Sequence, residues 1–184
     1  TPNHIAYGVA TGHTIEALVP GSANAISVNL LQPHFGDSNL VVDIADIRAK
    51  RDAATDIGVF AIRYSGSFPI GSFGADRLNH SWKPNSQEPL FVLGYPHAAQ
   101  KNKFLASELR LNDSLYGSFV TPEGLYVALS RNAGPGSSGE LVVTADGYGV
   151  GVVKSIAKIN GVDCILITPL KNQFSELKEK LVFP

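Results

Sequence analysis

The segment "RNAGPGSSGELVVTADGYGVGVV", from Arg131 to Val153, combines a glycine- and serine-rich turn with two strand-like runs. The runs ELVVTA and YGVGVVKSI are short, rich in valine and separated by a turn, which is typical of β-strands. Glycine lets the preceding turn bend without a Cβ clash, so that the backbone N–H groups of Gly136 and Ser138 can converge on one site for an oxyanion. The same residue types also make ordinary loops. The turn alone therefore leaves two hypotheses open, a nucleophilic serine and a flexible connection.

One other serine motif is excluded by the residues around this turn. The nucleophile elbow of α/β-hydrolases needs Gly-x-Ser-x-Gly between a strand and a helix. Centring that motif on Ser137 places Pro135 at its first glycine, and centring it on Ser138 places Glu140 at its last. Strand-like runs follow the turn where the elbow needs a helix. The sequence therefore does not predict an esterase of that kind.

Short strand-like runs bounded by turn residues recur along the whole chain in two groups. The first group comprises 4–12, 13–17, 25–31, 40–49 and 57–63, and the second comprises 90–96, 104–111, 125–130, 140–145, 148–156 and 163–170. A polar connection rich in proline and glycine separates the groups. Only the tail has helical spacing, with apolar residues recurring every three or four positions. This order predicts two antiparallel barrels or a sandwich, closed by a helix.

The composition argues against several classes of function. The chain has 15 basic and 16 acidic residues among 184, and its net charge of -1 lacks the positive charge that binding to nucleic acid or an anionic membrane needs. The single Cys164 cannot form an internal disulfide, which favours a reducing, intracellular compartment.

The histidines have no partners at metal-ligand spacing, so no metal or other cofactor is expected. Methionine is absent, even at position 1, which favours a domain cut from a longer chain, naturally or for expression.

Several segments resemble the chymotrypsin-like serine proteases, and they occur in that family's order. The serine turn and its hairpin are similar to the family's Gly-x-Ser-Gly nucleophile loop, which matches Ser138 to the nucleophile. The run "RDAATDIGVFAIR" is similar to the family's Asp-Ile-Ala-Leu-Leu segment, which matches Asp56 to the triad aspartate. Taken alone, Asp56 fits a turn residue before a strand equally well. Ser137 replaces the aspartate that pairs with a freed N-terminus in zymogen-activated members, so the resemblance is to the viral polyprotein-processing and bacterial heat-shock types.

The resemblance implies an all-β fold of two six-stranded antiparallel β-barrels with a C-terminal helix. The N-terminal barrel would span 1–70, the connection 71–87, the C-terminal barrel 88–170, and the helix and tail 171–184, with the active site in the cleft between the barrels. A histidine base oriented by Asp56 would activate Ser138, and the N–H groups of Gly136 and Ser138 would bind the oxyanion.

The histidine that this chemistry needs is missing from its expected place. In the run "HTIEALVPGS", which is similar to the family's Thr-Ala-Ala-His-Val-Val segment, Ala17 occupies the position of the histidine. His13 would lie about 13 Å away along a strand, beyond hydrogen-bond reach. His34 is the remaining alternative base, because it precedes Asp56 in a loop. Two hypotheses explain Ala17: an engineered His-to-Ala change that stops self-cleavage, which the intact serine turn favours, and a natural pseudoprotease that binds peptides or proteins.

The same resemblance indicates which residues would contact substrate. They are Asn132, Ala133, Pro135, Val153, Lys154 and Ser155. Because Asn132, and not an aspartate, lies at the expected base of the pocket, cleavage after Lys or Arg is not predicted. Viral relatives that select glutamine or glutamate carry a histidine where this chain has Val153, so their specificity is not predicted either. The expected partner is a polypeptide substrate, including the chain's own polyprotein, in the host cytoplasm if the protein is viral. The sequence thus predicts a serine endopeptidase domain that processes a polyprotein, in an inactive form.

Overall fold

The computed structural model describes residues 4–11, 29–31, 39–41, 44–52, 56–64, 81–94, 105–129 and 137–181. These residues form antiparallel β-sheet with a single helix, so the fold is all-β as the sequence predicts. The chain divides into two compact units, one of Thr1–Ser72 with Gln173–Pro184 and the other of Phe73–Asn172. No helix among the described residues is long and apolar enough to cross a membrane.

The unit that begins at Thr1 contains five described strands in two sheets. They are β1 (His4–Thr11), β2 (Asn29–Leu31), β3 (Asn39–Val41), β4 (Ile44–Asp52) and β5 (Ile57–Tyr64). Strand β5 lies between β1 and β4 in a three-stranded sheet, and β2 pairs with β3. Alternate residues Ile57, Val59 and Ala61 of β5 are completely buried, which is the period-two pattern of a strand with one face in a core.

One strand boundary in this unit differs from the sequence prediction. The segment 40–49 was expected to be one strand, whereas the structure describes two, β3 as far as Val41 and β4 from Ile44, with 42–43 outside the described residues. The two strands have different partners, because β3 pairs with β2 and β4 pairs with β5. The alternation along 40–49 does not reveal where a chain changes its partner strand, so the two different pairings were not predicted. The predicted strand 13–17 lies outside the described residues.

The second unit contains a six-stranded antiparallel sheet. Its strands are β6 (Leu90–Gly94), β7 (Leu105–Leu109), β8 (Tyr126–Leu129), β9 (Leu141–Thr144), β10 (Gly149–Ile159) and β11 (Val162–Pro169). The spatial order is β7-β6-β9-β10-β11-β8. Just beyond β7, Leu111 forms an antiparallel bridge with Ala128 of β8, and the Asn112 N–H donates to the Val127 carbonyl at 2.9 Å. The two outer strands of the sheet are therefore joined at this point. The arrangement of the whole chain as two six-stranded barrels stays a prediction.

The buried side chains of this sheet form one apolar cluster. It comprises Trp82, Leu90, Val92, Leu109, Leu111, Tyr126, Ala128, Val142, Val150, Val153, Ile165 and Ile167. The Trp82 and Tyr126 rings meet edge to face with centroids 5.5 Å apart, and the Trp82 indole N–H donates to Glu88 at 2.7 Å. Each large aliphatic side chain buried here contributes about 1.5–3 kcal/mol, so burial along these strands is the main stabilising term.

The described chain ends in the helix α1 (Lys171–Glu179). Phe174, Leu177 and Leu181 are buried and recur at the helical spacing that the sequence shows. The Lys178 ammonium lies 4.9 Å from the ring centroid of Tyr7 on β1, a cation–π contact.

Candidate active site

The turn that carries Ser138 is tied to strand β10 by backbone hydrogen bonds. The Gly139 N–H donates to the Val153 carbonyl at 2.8 Å, and the Val153 N–H donates to the Glu140 carbonyl at 2.9 Å. A third bond, from the Glu140 N–H to the Ser137 carbonyl at 3.1 Å, closes the turn on itself. Gly139 has a φ of 91°, which residues with a Cβ rarely adopt. The sequence thus requires glycine at 139, and the hydrogen bonds fix where the turn lies.

The two serines of the turn have opposite environments. Ser138 is exposed, whereas Ser137 is 1% exposed and its hydroxyl finds no hydrogen-bond partner among the described residues. The exposed hydroxyl is accessible to a substrate. A buried hydroxyl without a partner costs about 1–3 kcal/mol.

Strand β10 continues beyond the turn with one free edge. Within the described residues, β9 pairs with β10 only as far as Val152, and the turn pairs with Val153. The remaining length pairs with β11 alone, through a register shift between Val153 and Ser155 that leaves Lys154 as an extra residue. Ile156 lies on this edge, pairs with the buried Ile165, and is itself 36% exposed. Among the described residues, no strand pairs with this edge of 154–159, whose backbone groups could therefore receive an extended peptide.

Lys154 supplies positive charge beside a turn that precedes β8. The pKa of the Glu123 carboxyl lies below its usual value because of a hydrogen bond from its own backbone, a hydrogen bond from the Thr121 side chain and the nearby charge of Lys154. The Thr121 hydroxyl also accepts a hydrogen bond from the Leu125 N–H at 3.2 Å.

Cys164 is poorly suited to act as a nucleophile. It is fully buried, and its thiol donates to the Val162 carbonyl at 3.3 Å. Burial raises the pKa of the thiol above its usual value, which disfavours the reactive thiolate. Within the described ranges, no group of three or more His, Cys, Asp or Glu side chains is placed to hold a metal ion.

Asp56 is half-buried and lies immediately before β5, in the unit that begins at Thr1. Its φ of 53° is in the left-handed region, which is uncommon outside glycine and is tolerated best by Asn and Asp. This conformation fits a turn residue that closes the connection between β4 and β5. It also fits a strained residue at a functional site, so the backbone leaves both interpretations of Asp56 open.

Several predicted site residues lie outside the described part of the chain. They are Ala17, Asn132, Ala133, Pro135 and Gly136, together with the alternative base His34. Of the remainder, Ser138 and the substrate-contacting candidates Val153, Lys154 and Ser155 belong to one unit, where the hydrogen bond from Gly139 brings the turn onto β10.

One contact at the site is not predicted by the sequence pattern. The side chain of Glu140 lies against Gly94 at the end of β6, where it fills the space that a side chain at 94 would occupy. The pairing of Leu93 with Leu141 places their neighbours Gly94 and Glu140 side by side. Only this cross-strand register reveals the contact, since 46 residues separate the two positions in the chain.

Comparisons with known proteins give a structural likeness only. No protein-family model matches the sequence, and no curated protein matches it. Among solved structures, 38 chains match. One of them is the crystal structure of the active form of the Rv3671c protease from M. tuberculosis, with a TM-score of 0.52 and 19% sequence identity over 81% of this chain. The match covers 62% of that chain. At this identity the likeness establishes a shared fold.

Proposed function

We propose that this chain is a serine endopeptidase domain whose nucleophile is Ser138, in a form that Ala17 makes inactive. The observation that carries the proposal is the turn itself: an exposed serine, next to a glycine with positive φ, hydrogen-bonded onto a strand with a free edge. The fold shared with a protease supports this assignment.

In the active form, a histidine at 17 would take the proton of the Ser138 hydroxyl while Oγ attacks the carbonyl carbon of a peptide bond. Asp56 would orient this base, and the N–H groups of Gly136 and Ser138 would bind the oxyanion. The C–N bond then breaks, and the leaving amine takes the proton from the imidazole. Water, deprotonated by the same base, hydrolyses the acyl-enzyme and regenerates the serine. No cofactor or metal takes part.

The substrate in this proposal is an extended polypeptide that adds to the free edge of β10. Main-chain hydrogen bonds along an open strand edge give affinity, and neighbouring side chains give selectivity. Lys154 and Ser155 would contact the peptide from β10, and Asn132, Ala133 and Pro135 would line the pocket before the nucleophile. With no carboxylate at 132, the pocket does not favour Lys or Arg. Processing of the chain's own polyprotein, in a reducing compartment, is the role that fits a disulfide-free domain of this kind.

A second function, binding without cleavage, is favoured by one observation. The free edge of β10 needs no catalytic base to hold a peptide, so a natural pseudoprotease would keep the same edge. Restoring the histidine separates the two functions, because only a protease would regain cleavage.

The test is to compare the unmodified chain with Ala17→His and with Ala17→His/Ser138→Ala on a random peptide library. Loss of the catalytic histidine costs about 10⁶ in kcat in a characterised serine protease of another fold, so the restored chain should cleave and the other two should not. Cleavage that survives Ser138→Ala would remove Ser138 as the nucleophile. If the unmodified chain already cleaves and His34→Ala abolishes the cleavage, His34 is the base. If no form cleaves and all forms bind library peptides, the binding module is correct.

A further inference from the structure

The Glu140 side chain occupies a defined place at the end of the six-stranded sheet. In the β6–β9 ladder Val92 pairs with Val142 and Leu93 pairs with Leu141, which sets Glu140 beside Gly94. Val92 and Val142 face the core, and side chains on a strand alternate, so Glu140 lies on the core-facing side. A Cβ at Gly94 would overlap the Cγ, Cδ and Oε1 atoms of Glu140. The glutamate side chain therefore lies across β6 in space that only glycine at 94 leaves.

The backbone of the same residue is part of the serine turn. Its N–H donates to the Ser137 carbonyl and its carbonyl accepts from the Val153 N–H. The turn is thus attached to β10 through main-chain bonds and to β6 through one side chain. Both attachments lie within two residues of the exposed Ser138.

We propose that Glu140 is a positioning residue for Ser138, acting from the space beside Gly94 to hold the serine turn against β6. The effect of Glu140 on catalysis rests on the proposed function, whereas the attachment of the serine turn to β6 does not depend on it. A misplacement of about 1 Å at a reacting group can cost about 100-fold in rate. The substrate edge at 154–159 is not involved, so the effect belongs to kcat and not to KM.

The variants separate the shape of the side chain from its charge. In the Ala17→His chain, Glu140→Ala should lower kcat about tenfold with KM unchanged, because the turn loses its contact with β6. Glu140→Gln should retain kcat within about twofold, because the amide fills the same space and keeps a carbonyl acceptor. Glu108→Ala is the matched control, since Glu108 is an exposed glutamate on β7 whose ion pair with Arg110 spans 3.7 Å.

A double-mutant cycle tests the contact with β6 directly. Gly94 has no left-handed φ, and the three atoms nearest to a Cβ at this position all belong to Glu140, so the Glu140 side chain is the first obstacle to Gly94→Ala. Gly94→Ala alone should lower kcat about tenfold, and it should have no further effect once Glu140 is alanine. Full additivity of the two losses would overturn the proposal, as would equal losses for Glu140→Ala and Glu140→Gln.

Amide hydrogen exchange gives a readout that needs no activity. In the unmodified chain, Glu140→Ala should speed exchange at the Gly139 and Glu140 amides about tenfold, while the Asn112 amide, bonded to Val127, keeps its rate. Unchanged exchange at both turn amides would refute the attachment, whatever the activity. If Ala17→His alone restores no cleavage, the proposed function fails, and the exchange rates still decide whether Glu140 holds the turn.

Discussion

Replacing Ser137 with alanine should stabilise the protein, although the substitution removes a polar group next to the candidate nucleophile. Ser137 is 1% exposed, and its Oγ has no hydrogen-bond partner among the described residues. Folding therefore removes this hydroxyl from water without compensation, at a cost of about 1–3 kcal/mol. Alanine lacks the hydroxyl and leaves a gap of a single oxygen atom. We expect the free energy of unfolding to rise by about 1 kcal/mol, which corresponds to a Tm increase of about 2–4 °C for a chain of this length.

Urea unfolding and thermal melts of the two proteins measure this effect. Thr121→Val is the matched control, because Thr121 is 5% exposed and its hydroxyl accepts a hydrogen bond from the Leu125 N–H at 3.2 Å. Loss of that acceptor leaves a buried N–H unpaired, so the control should lose about 1–3 kcal/mol. A loss of stability in Ser137→Ala as large as that in Thr121→Val would show that the Ser137 hydroxyl is bonded, and the reasoning would be refuted.

Three further predictions concern the same unit. Gly139→Ala should destabilise the protein by about 1 kcal/mol or more, measured by urea unfolding, because its φ of 91° strains any residue with a Cβ; an unchanged midpoint would contradict this. Burial raises the pKa of the Tyr126 hydroxyl to about 12, whereas the unfolded chain releases this proton at a pKa of about 10. The stability that the protonated hydroxyl contributes is therefore fully present below about pH 10 and is lost as the pH rises toward 12. Unfolding free energies at pH 9 and pH 11.5 should show this fall, at most about 2 kcal/mol over that interval, and Tyr126→Phe should remove that part of it. Ile167→Ala, at a completely buried position, should cost about 2–5 kcal/mol, and a loss below 1 kcal/mol would mean that the core is not packed there.

The strands were predictable from the sequence because their signal is local. Short apolar runs bounded by turn residues located β6 to β11, and the tail's apolar spacing located α1. The change of partner between β3 and β4 was not predictable, because both strands belong to one segment of strand-like alternation and differ in the strands they pair with. Sequence periodicity carries information about faces and none about which strand lies alongside.

The site was predictable to a smaller extent. Gly139 predicts a turn, and the positive φ of this residue explains why glycine is found there. The resemblance to Gly-x-Ser-Gly selects Ser138, but residue type and spacing do not predict that Ser137 is buried and Ser138 exposed, since the two serines are adjacent and chemically identical. The contact between Glu140 and Gly94 depends on strand register, which is a long-range property. The role of Ala17 rests on resemblance alone, because its position lies outside the described residues.

Covalent labelling of Ala17→His with a serine-directed phosphonate, with the modified residue located by mass spectrometry, tests the roles of Ser138 and position 17 together. A phosphonate reacts only with a serine whose hydroxyl is activated by a base, so it reports nucleophile and base together. We expect rapid, stoichiometric labelling at Ser138 in Ala17→His, and labelling slower by several orders of magnitude in the unmodified chain. Labelling at another serine, or no labelling of a folded Ala17→His protein, would contradict the assignment of Ser138 as the nucleophile and of position 17 as the place of its base.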